Sequence, residues 1–399
     1  MDKRVHELIE QNQVFKKYPV VDENTSRETL PKKVDTSTLA GLWDVLKNAV
    51  GQDLSKITMP VTFNEPLSMV QKHTEFIEYH EILRQANRDS CPIKRLGLVL
   101  SAFFMLCSNT IGRMKKFFNS LLGETYEYVE GDIKLIAEQV SHHPPISAFY
   151  CESNDFIVKS TLYLKSAFSI SSFKVYDLGS TEVKLLNTGE VFDIFPSKVS
   201  VHNYMIGSPY LMFYGKMKVI NKITEMTALI TFKKKGFMGG KNYNVKGNIV
   251  DSKENELAIL SGSWDKELIL EYIDKKSDKH TLVRKHEGPN PENQFKFSKF
   301  AVNLNNLDKK TITLLPPTDS RLRPDIRALE QNDIRLASTE KDRLEVNQRK
   351  RRKENGEKIH IPQWFILRMN NDKPQIDYKG GYFECRSKGK FPEMIEIFK

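Results

Sequence analysis

Residues 138–145 read Glu138-Gln139-Val140-Ser141-His142-His143-Pro144-Pro145. Proline fixes its own φ, offers no N–H and drives the preceding residue toward extended geometry, so His143 is expected at an irregular strand end. In a regular strand His142 and His143 would point to opposite faces, and a local bulge or bend would turn both rings toward one anion. A pair of surface histidines beside a turn is the plainer reading of the same residues.

Around this run the hydrophobic pattern has period two. Ile133, Leu135 and Ala137 alternate with polar residues, as do Phe156 and Val158, Leu162 and Leu164, then Tyr210, Met212 and Tyr214, then Tyr243, Val245, Gly247 and Ile249. Many short strands without intervening helices predict an antiparallel sheet. Over roughly 150 residues such a sheet must curl, and closing or nearly closing into a barrel hides its edges. A large barrel leaves an interior cavity.

Outside the strands the pattern is helical. Residues 1 to about 34 are polar and charged, with Pro19 and Pro31, and read as a mobile lead-in. From Asp35 to Val50, Leu39, Leu42, Trp43, Leu46 and Val50 recur at helical spacing, which predicts an amphipathic helix: a core-packing element, or a lid or membrane-touching segment. A helical block is predicted from about Leu67 to Asn109. Its apolar run, Leu96 to Cys107, is too short to span a bilayer of roughly 30 Å and reads as a buried helix. Helix returns from Pro324 to about Lys353, and the aromatic tail from Pro362 to Phe398 suits packing back on the body.

The 399 residues fit one domain with appendages. The formal net charge of +10 favours an anionic partner without choosing between phospholipid, membrane surface and nucleic acid. Cys91, Cys107, Cys151 and Cys385 lie far apart with no metal-ligand spacing, which suits a reduced, cytoplasmic chain; no metal or cofactor is expected. Met1 to Val14 lacks the apolar region of a signal peptide.

Three further groups could carry chemistry. In Lys116-Phe117-Phe118-Asn119-Ser120-Leu121-Leu122-Gly123-Glu124-Thr125-Tyr126, Gly123 opens the first strand, leaving Lys116 and Asn119 in a loop at the sheet margin. There a lysine supplies a point cation for phosphate and an amide a directional hydrogen bond, although a lone lysine also suits a plain surface. Lys341, Glu345 and Arg349, at i, i+4 and i+8, form one helical stripe: an ion-pair ladder, or a clamp on a phosphorylated headgroup. The basic run Arg349-Lys350-Arg351-Arg352-Lys353 suits a nuclear-localisation patch, a nucleic-acid contact or an electrostatic membrane anchor; it has no interleaved aromatics, which speaks against nucleic acid, and a solvated helix end is the plainest reading. Lys235-Gly236-Phe237-Met238-Gly239-Gly240-Lys241 lacks the Ser or Thr of a phosphate-binding P-loop and reads as a turn. The histidine pair has no third ligand and no nucleophile partner, so no catalytic residue is assigned and no enzyme is expected.

Several segments resemble the oxysterol-binding protein family of lipid-transfer proteins: Asp53-Leu54-Ser55-Lys56, Asn64-Glu65-Pro66-Leu67-Ser68, Leu121 to Tyr126, the His-His-Pro-Pro run, Leu315-Pro316-Pro317-Thr318-Asp319-Ser320-Arg321 and Tyr378-Lys379-Gly380-Gly381-Tyr382. The resemblance implies an α+β fold dominated by β, an incomplete large antiparallel β barrel enclosing a hydrophobic tunnel, with an N-terminal amphipathic lid and a C-terminal helical subdomain. It divides the chain into a flexible segment 1–34 and one lipid-transfer domain 35–399, with lid 35–60, helical part 61–115, barrel 116–315 and C-terminal part 316–399. It assigns Lys116, Asn119, His142, His143, Lys341, Glu345 and Arg349 to a phosphoinositide headgroup, and Leu39, Leu42, Trp43 and Leu46 to the lid. Asn109 is matched to a tunnel group that meets a sterol hydroxyl. Family members often carry proline after the loop lysine and asparagine; this chain has Phe117 and Ser120.

The function so implied is transfer of phosphatidylinositol 4-phosphate in exchange for a second lipid, sterol, by a monomer that is cytoplasmic and transiently at organelle membranes, with no nucleic acid involved. A phosphatidylserine exchanger on the same fold and a phosphoinositide-responsive adaptor without net transport are the alternatives. If the headgroup charges the imidazoles, affinity is expected to weaken at alkaline pH.

Overall fold

In the computed structural model, residues 1–22, 26–33, 59–168, 173–202, 210–233, 243–274, 278–287, 295–354, 356, 360–371 and 373–399 are described. The predicted lid residues Leu39, Leu42, Trp43 and Leu46, and the Lys235–Lys241 turn, lie outside them.

Two short strands, β1 (Asn64–Ser68) and β2 (Lys116–Phe118), pair in parallel apart from the main sheet. Among the described residues the main sheet has 14 strands. It begins with β3 (Thr125–Glu130), β4 (Ile133–His142) and β5 (Pro145–Glu152) and ends at Lys279–Arg284. Every pairing in it is antiparallel, mostly between strands adjacent in sequence. Most of the period-two positions are buried, namely Ile133, Leu135, Ala137, Phe156, Val158, Leu162, Met212, Val245 and Ile249, whereas Leu164, Tyr210, Tyr214, Tyr243 and Gly247 are half-buried. The two end strands do not pair with each other, so the sheet is an incomplete barrel.

Helices α1 (Lys3–Gln11), α2 (Gln13–Lys17), α3 (Met69–Thr74), α4 (His80–Arg88) and α5 (Pro92–Phe104) precede most of the sheet. Every residue of α5 from Leu96 to Phe104 is buried, as the apolar run predicts. Gly97 brings α5 close to the sheet: a Cβ there would come within 2.9 Å of Leu282 Cδ1 and 3.1 Å of Leu270 Cδ1, and those side-chain ends would have to shift to admit it. No helix among the described residues is long and apolar enough to cross a membrane.

After the sheet come α6 (Pro324–Glu330), α7 (Ile334–Glu354), the hairpin Phe365–Asn370/Lys373–Tyr378 and α8 (Tyr382–Lys388). The helix expected from Pro324 to Lys353 is thus two, parted near Asn332, whose φ is +57°. The main sheet ends at Arg284; residues 295–315 hold short 3₁₀ turns, and the C-terminal part includes a hairpin.

The N-terminus departs most from expectation. Rather than a mobile lead-in, it forms α1 and α2, with Asp2 accepting from Arg4 N–H at the first cap and Asn12 accepting from Val14 N–H at the second. Val5, Leu8 and Phe15 pack with Leu121, Leu344, Ile397 and Phe398, while Val14 packs with Phe118 and Ile326. Arg4 donates to the carbonyls of Phe391 and Pro392, joining the two ends of the chain.

Candidate functional site

A cavity of about 210 Å³ lies where β2, the end of β4 and α7 converge. Lys116, Asn119, His142, His143, Lys341, Glu345 and Arg349 all line it, together with Met59, Asn64, Phe118, Leu121, Arg323, Gln348 and Arg352.

Buried ion pairs set the position of Lys116. Three residues before it, Arg113 is clamped between Glu65 (2.6 and 2.7 Å) and Glu75 (2.8 and 2.9 Å), with its guanidinium 4.5 Å from the centroid of the Phe297 ring. Asn64 then donates to the Lys116 and Phe117 carbonyls at 3.0 and 3.3 Å. Lys116 is therefore on a short strand, not in the loop the sequence suggests; Asn119 follows that strand.

The turn after Asn119 is tied down by Arg323. Its guanidinium donates to the Asn119 carbonyl at 2.9 Å, to Glu124 Oε2 at 2.8 Å and in bidentate fashion to Asp325 at 2.8 and 2.9 Å. Glu124 also accepts from Leu121 N–H at 2.8 Å and Ser320 Oγ at 2.6 Å. Gly123, at φ +81°, makes the left-handed turn that lets this carboxylate face back. Burial nevertheless pulls the Glu124 carboxyl upward, with Arg323, Ser320 and Leu121 opposing.

The histidines reach the cavity through the irregularity their prolines suggest. The β4–β5 register slips between Gln139 and Ser141, and Gln139 Nε2 donates to the Ser141 carbonyl at 2.7 Å. The His143–Pro144 peptide is cis. The two rings meet edge to face with centroids 4.6 Å apart and both line the cavity. Upstream, Glu138 accepts from Gln363 and Trp364 N–H at 2.7 and 2.8 Å, fixing the C-terminal segment on β4. Burial raises that carboxyl to about 7 against those two donors.

Helix α7 forms the third wall. Lys341 is buried and donates to Glu345 Oε1 at 2.8 Å, so the ion pair and the cavity-lining stripe are one feature. Arg349 is exposed at the rim. Burial, then His143 and Arg352, push His142 down to about 4, with the Ser120 backbone and Glu345 opposing. Without a headgroup His142 is thus neutral near pH 7.

Asn109 lies elsewhere. It is buried, and its Nδ2 donates to Glu78 Oε2 at 2.5 Å. Burial beside Glu75 raises Glu78 to about 8.

Arg323, Gln348, Asn64 and Arg352 were not assigned from the sequence. Arg352 had a signal, lying three residues beyond Arg349 on the same helical face. Arg323 and Gln348 act across about 200 residues of chain, and local pattern carries nothing of that.

The oxysterol-binding protein family model matches residues 41–387. The chain belongs to the oxysterol-binding protein family. Oxysterol-binding protein-related protein 1 of Rattus norvegicus is 34% identical over 409 aligned residues, covering 90% of this chain and 43% of that protein. The chain thus spans less than half the length of this relative. Oxysterol-binding protein-related protein 1B of Arabidopsis thaliana is 33% identical, with 96% and 78% covered. Among solved structures, the Osh1 ORD domain in complex with cholesterol superposes with a TM-score of 0.83 at 30% identity, covering 98% of both chains. The Osh3 ORD in complex with PI(4)P from Saccharomyces cerevisiae gives 0.79 at 29% identity, covering 95% of this chain and 99% of that one. Membership makes this chain a lipid-binding domain and not an enzyme.

Proposed function

We propose that this oxysterol-binding family domain binds phosphatidylinositol 4-phosphate through the α7/His-His cavity and exchanges it for a second lipid, sterol, between membranes. The observation that carries the reading is the gathering of Lys116, Lys341, Arg349 and Arg352 from two distant chain segments around one cavity also lined by His142 and His143. A phosphomonoester carries close to two negative charges at neutral pH and accepts several hydrogen bonds, which is what such a cluster offers.

Affinity and selectivity would then come from different parts of the molecule. Burying about 500 Å² of lipid at roughly 25 cal/mol per Å² supplies on the order of 12 kcal/mol before association costs, and does so for any acyl chain or sterol of that size. The polar cavity selects the headgroup. Its likeness to domains solved with cholesterol and with PI(4)P supports two alternative cargoes. Exchange would take place on cytoplasmic membrane surfaces, with the domain visiting each bilayer transiently and acting as a monomer.

The test is a two-vesicle assay. Labelled sterol should move from donor to acceptor faster when the acceptor contains phosphatidylinositol 4-phosphate, and that lipid should move back. Binding of the phosphoinositide without movement of either lipid would replace the carrier with an adaptor. Counter-transport of phosphatidylserine alone would replace the second cargo.

A further inference from the structure

Gln348 joins three elements of the cavity wall from its place on α7. Its Oε1 accepts from the Leu122 backbone N–H at 2.9 Å, and its Nε2 lies 2.8 Å from His142 Nε2. The two ends of an amide are not interchangeable here, because the Leu122 N–H can only donate. The carbonyl end must therefore face Leu122, the NH₂ end must face the ring, and His142 Nε2 must be the acceptor. The ring proton then belongs on Nδ1, a buried atom with no hydrogen-bond partner among the described residues, so the Gln348 contact alone has to set the tautomer.

We propose that Gln348 is a positioning residue of the headgroup cavity: it selects the Nδ1–H tautomer of His142 and locks α7 to the turn before β3. The charged and titratable groups that act on the ring are His143 from its own strand end and Glu345 and Arg352 from α7. Arg349 of α7, Lys116 of β2 and Arg323 from the segment before α6 line the same cavity. Cations outnumber the one cavity carboxylate, Glu345, since Arg323 is already matched by Glu124 and Asp325. A charged His142 would add to that excess. With the ring neutral, charge recognition falls to the lysines and arginines, and the histidine contributes shape and hydrogen bonding. The consequence for ligand binding rests on the reading under Proposed function; the tautomer does not.

The test uses Gln348→Glu in the full chain, which keeps an acceptor for Leu122 but replaces the donor facing His142 with a carboxylate oxygen. Nitrogen-detected imidazole NMR should show His142 of the wild type as the neutral Nδ1–H tautomer from pH 9 to about 5. In Gln348→Glu the proton should move to Nε2, and the midpoint should rise to about 6 or higher. Gln348→Met, similar in length and unable to donate or accept, should leave both neutral tautomers populated without that rise, separating the hydrogen bonds from the charge. Binding to vesicles containing phosphatidylinositol 4-phosphate should be flat between about pH 6 and 8 for the wild type and should fall with rising pH for Gln348→Glu. A wild-type ring protonated on Nε2, or a tautomer unchanged in both variants, overturns the proposal. A tautomer switch with no change in vesicle binding overturns the cavity role. If vesicle binding also survives Lys341→Ala and Arg349→Ala together, the headgroup reading itself has failed.

Discussion

Replacing Arg323 with methionine should destabilise the domain through two named carboxylates. Arg323 is 2% exposed, and the Glu124 and Asp325 side chains it pairs with are fully buried. Methionine fills much of the space of the stem and removes the charge, leaving two buried carboxylates without their cation. Breaking a buried pair from one side costs about 3–5 kcal/mol. With an unfolding entropy of roughly 2.1 cal/mol/K per residue, 399 residues give about 0.8 kcal/mol/K, so Tm should fall by about 4–6 °C. The sign of the pH dependence follows from Glu124. Losing its cation raises its folded-state pKa further above the unfolded value, so its contribution is intact below the unfolded pKa and lost as pH rises. The Tm difference should therefore be larger at pH 8 than at pH 5.

Scanning calorimetry at both pH values reads this directly. The triple variant Arg323→Met, Glu124→Gln, Asp325→Asn removes the stranded charges and should recover much of the loss. Because Arg323 also holds the Asn119 carbonyl, phosphoinositide affinity should fall about tenfold, equivalent to about 1.4 kcal/mol, in the single variant even well below its Tm. A Tm change of less than about 1 °C, or a triple variant no more stable than the single, would refute this account of the site's scaffold.

Other parts of the structure give further expectations. Phe15→Ala opens the cluster that joins α1 and α2 to Leu121 and Leu344, and should cost about 3–5 kcal/mol in denaturant unfolding; an unchanged midpoint would return the N-terminus to a loose appendage. Glu78, raised to about 8 by burial, holds a proton in the folded protein that the unfolded chain releases near its ordinary value. Its stabilising contribution is thus lost as pH rises through about 8, with a slope of at most about 1.4 kcal/mol per pH unit, and Glu78→Gln should flatten the stability profile there. His73 is fully buried between Ser147 and Ser160, each 2.9 Å away, and burial lowers it to about 3. Protonation of unfolded His73 below its ordinary pKa should therefore favour unfolding, and the acid limb of the stability profile should shallow in a folded His73→Gln variant.

Much of the barrel was legible because its signal is local. Ile133, Leu135 and Ala137 face one way in β4 because a strand repeats every two residues, and the same rule finds Val245 and Ile249 on the strand Asn244–Val250. The His-His-Pro-Pro run foretold a break in β4, since proline cannot continue the ladder, and the register slip sits just before it. The N-terminal helices were hidden by composition: charged residues outnumber Val5, Leu8, Val14 and Phe15, although Asp2 and Asn12 stand where caps belong and Val5 and Leu8 are three apart. Gln348 looked like one polar residue on a charged helix. Its meaning comes from Leu122 and His142, more than 200 residues earlier, and only the folded chain brings them together.

Parallel extraction of phosphatidylinositol 4-phosphate and of sterol from vesicles by His142→Ala/His143→Ala tests the division of labour most directly. Loss of two hydrogen bonds to a charged group, about 1.5–3 kcal/mol each, should reduce phosphoinositide extraction at least a hundredfold or so, while sterol extraction stays within about twofold of wild type. Equal loss of both lipids, or retention of both, would contradict a headgroup cavity separate from the apolar interior.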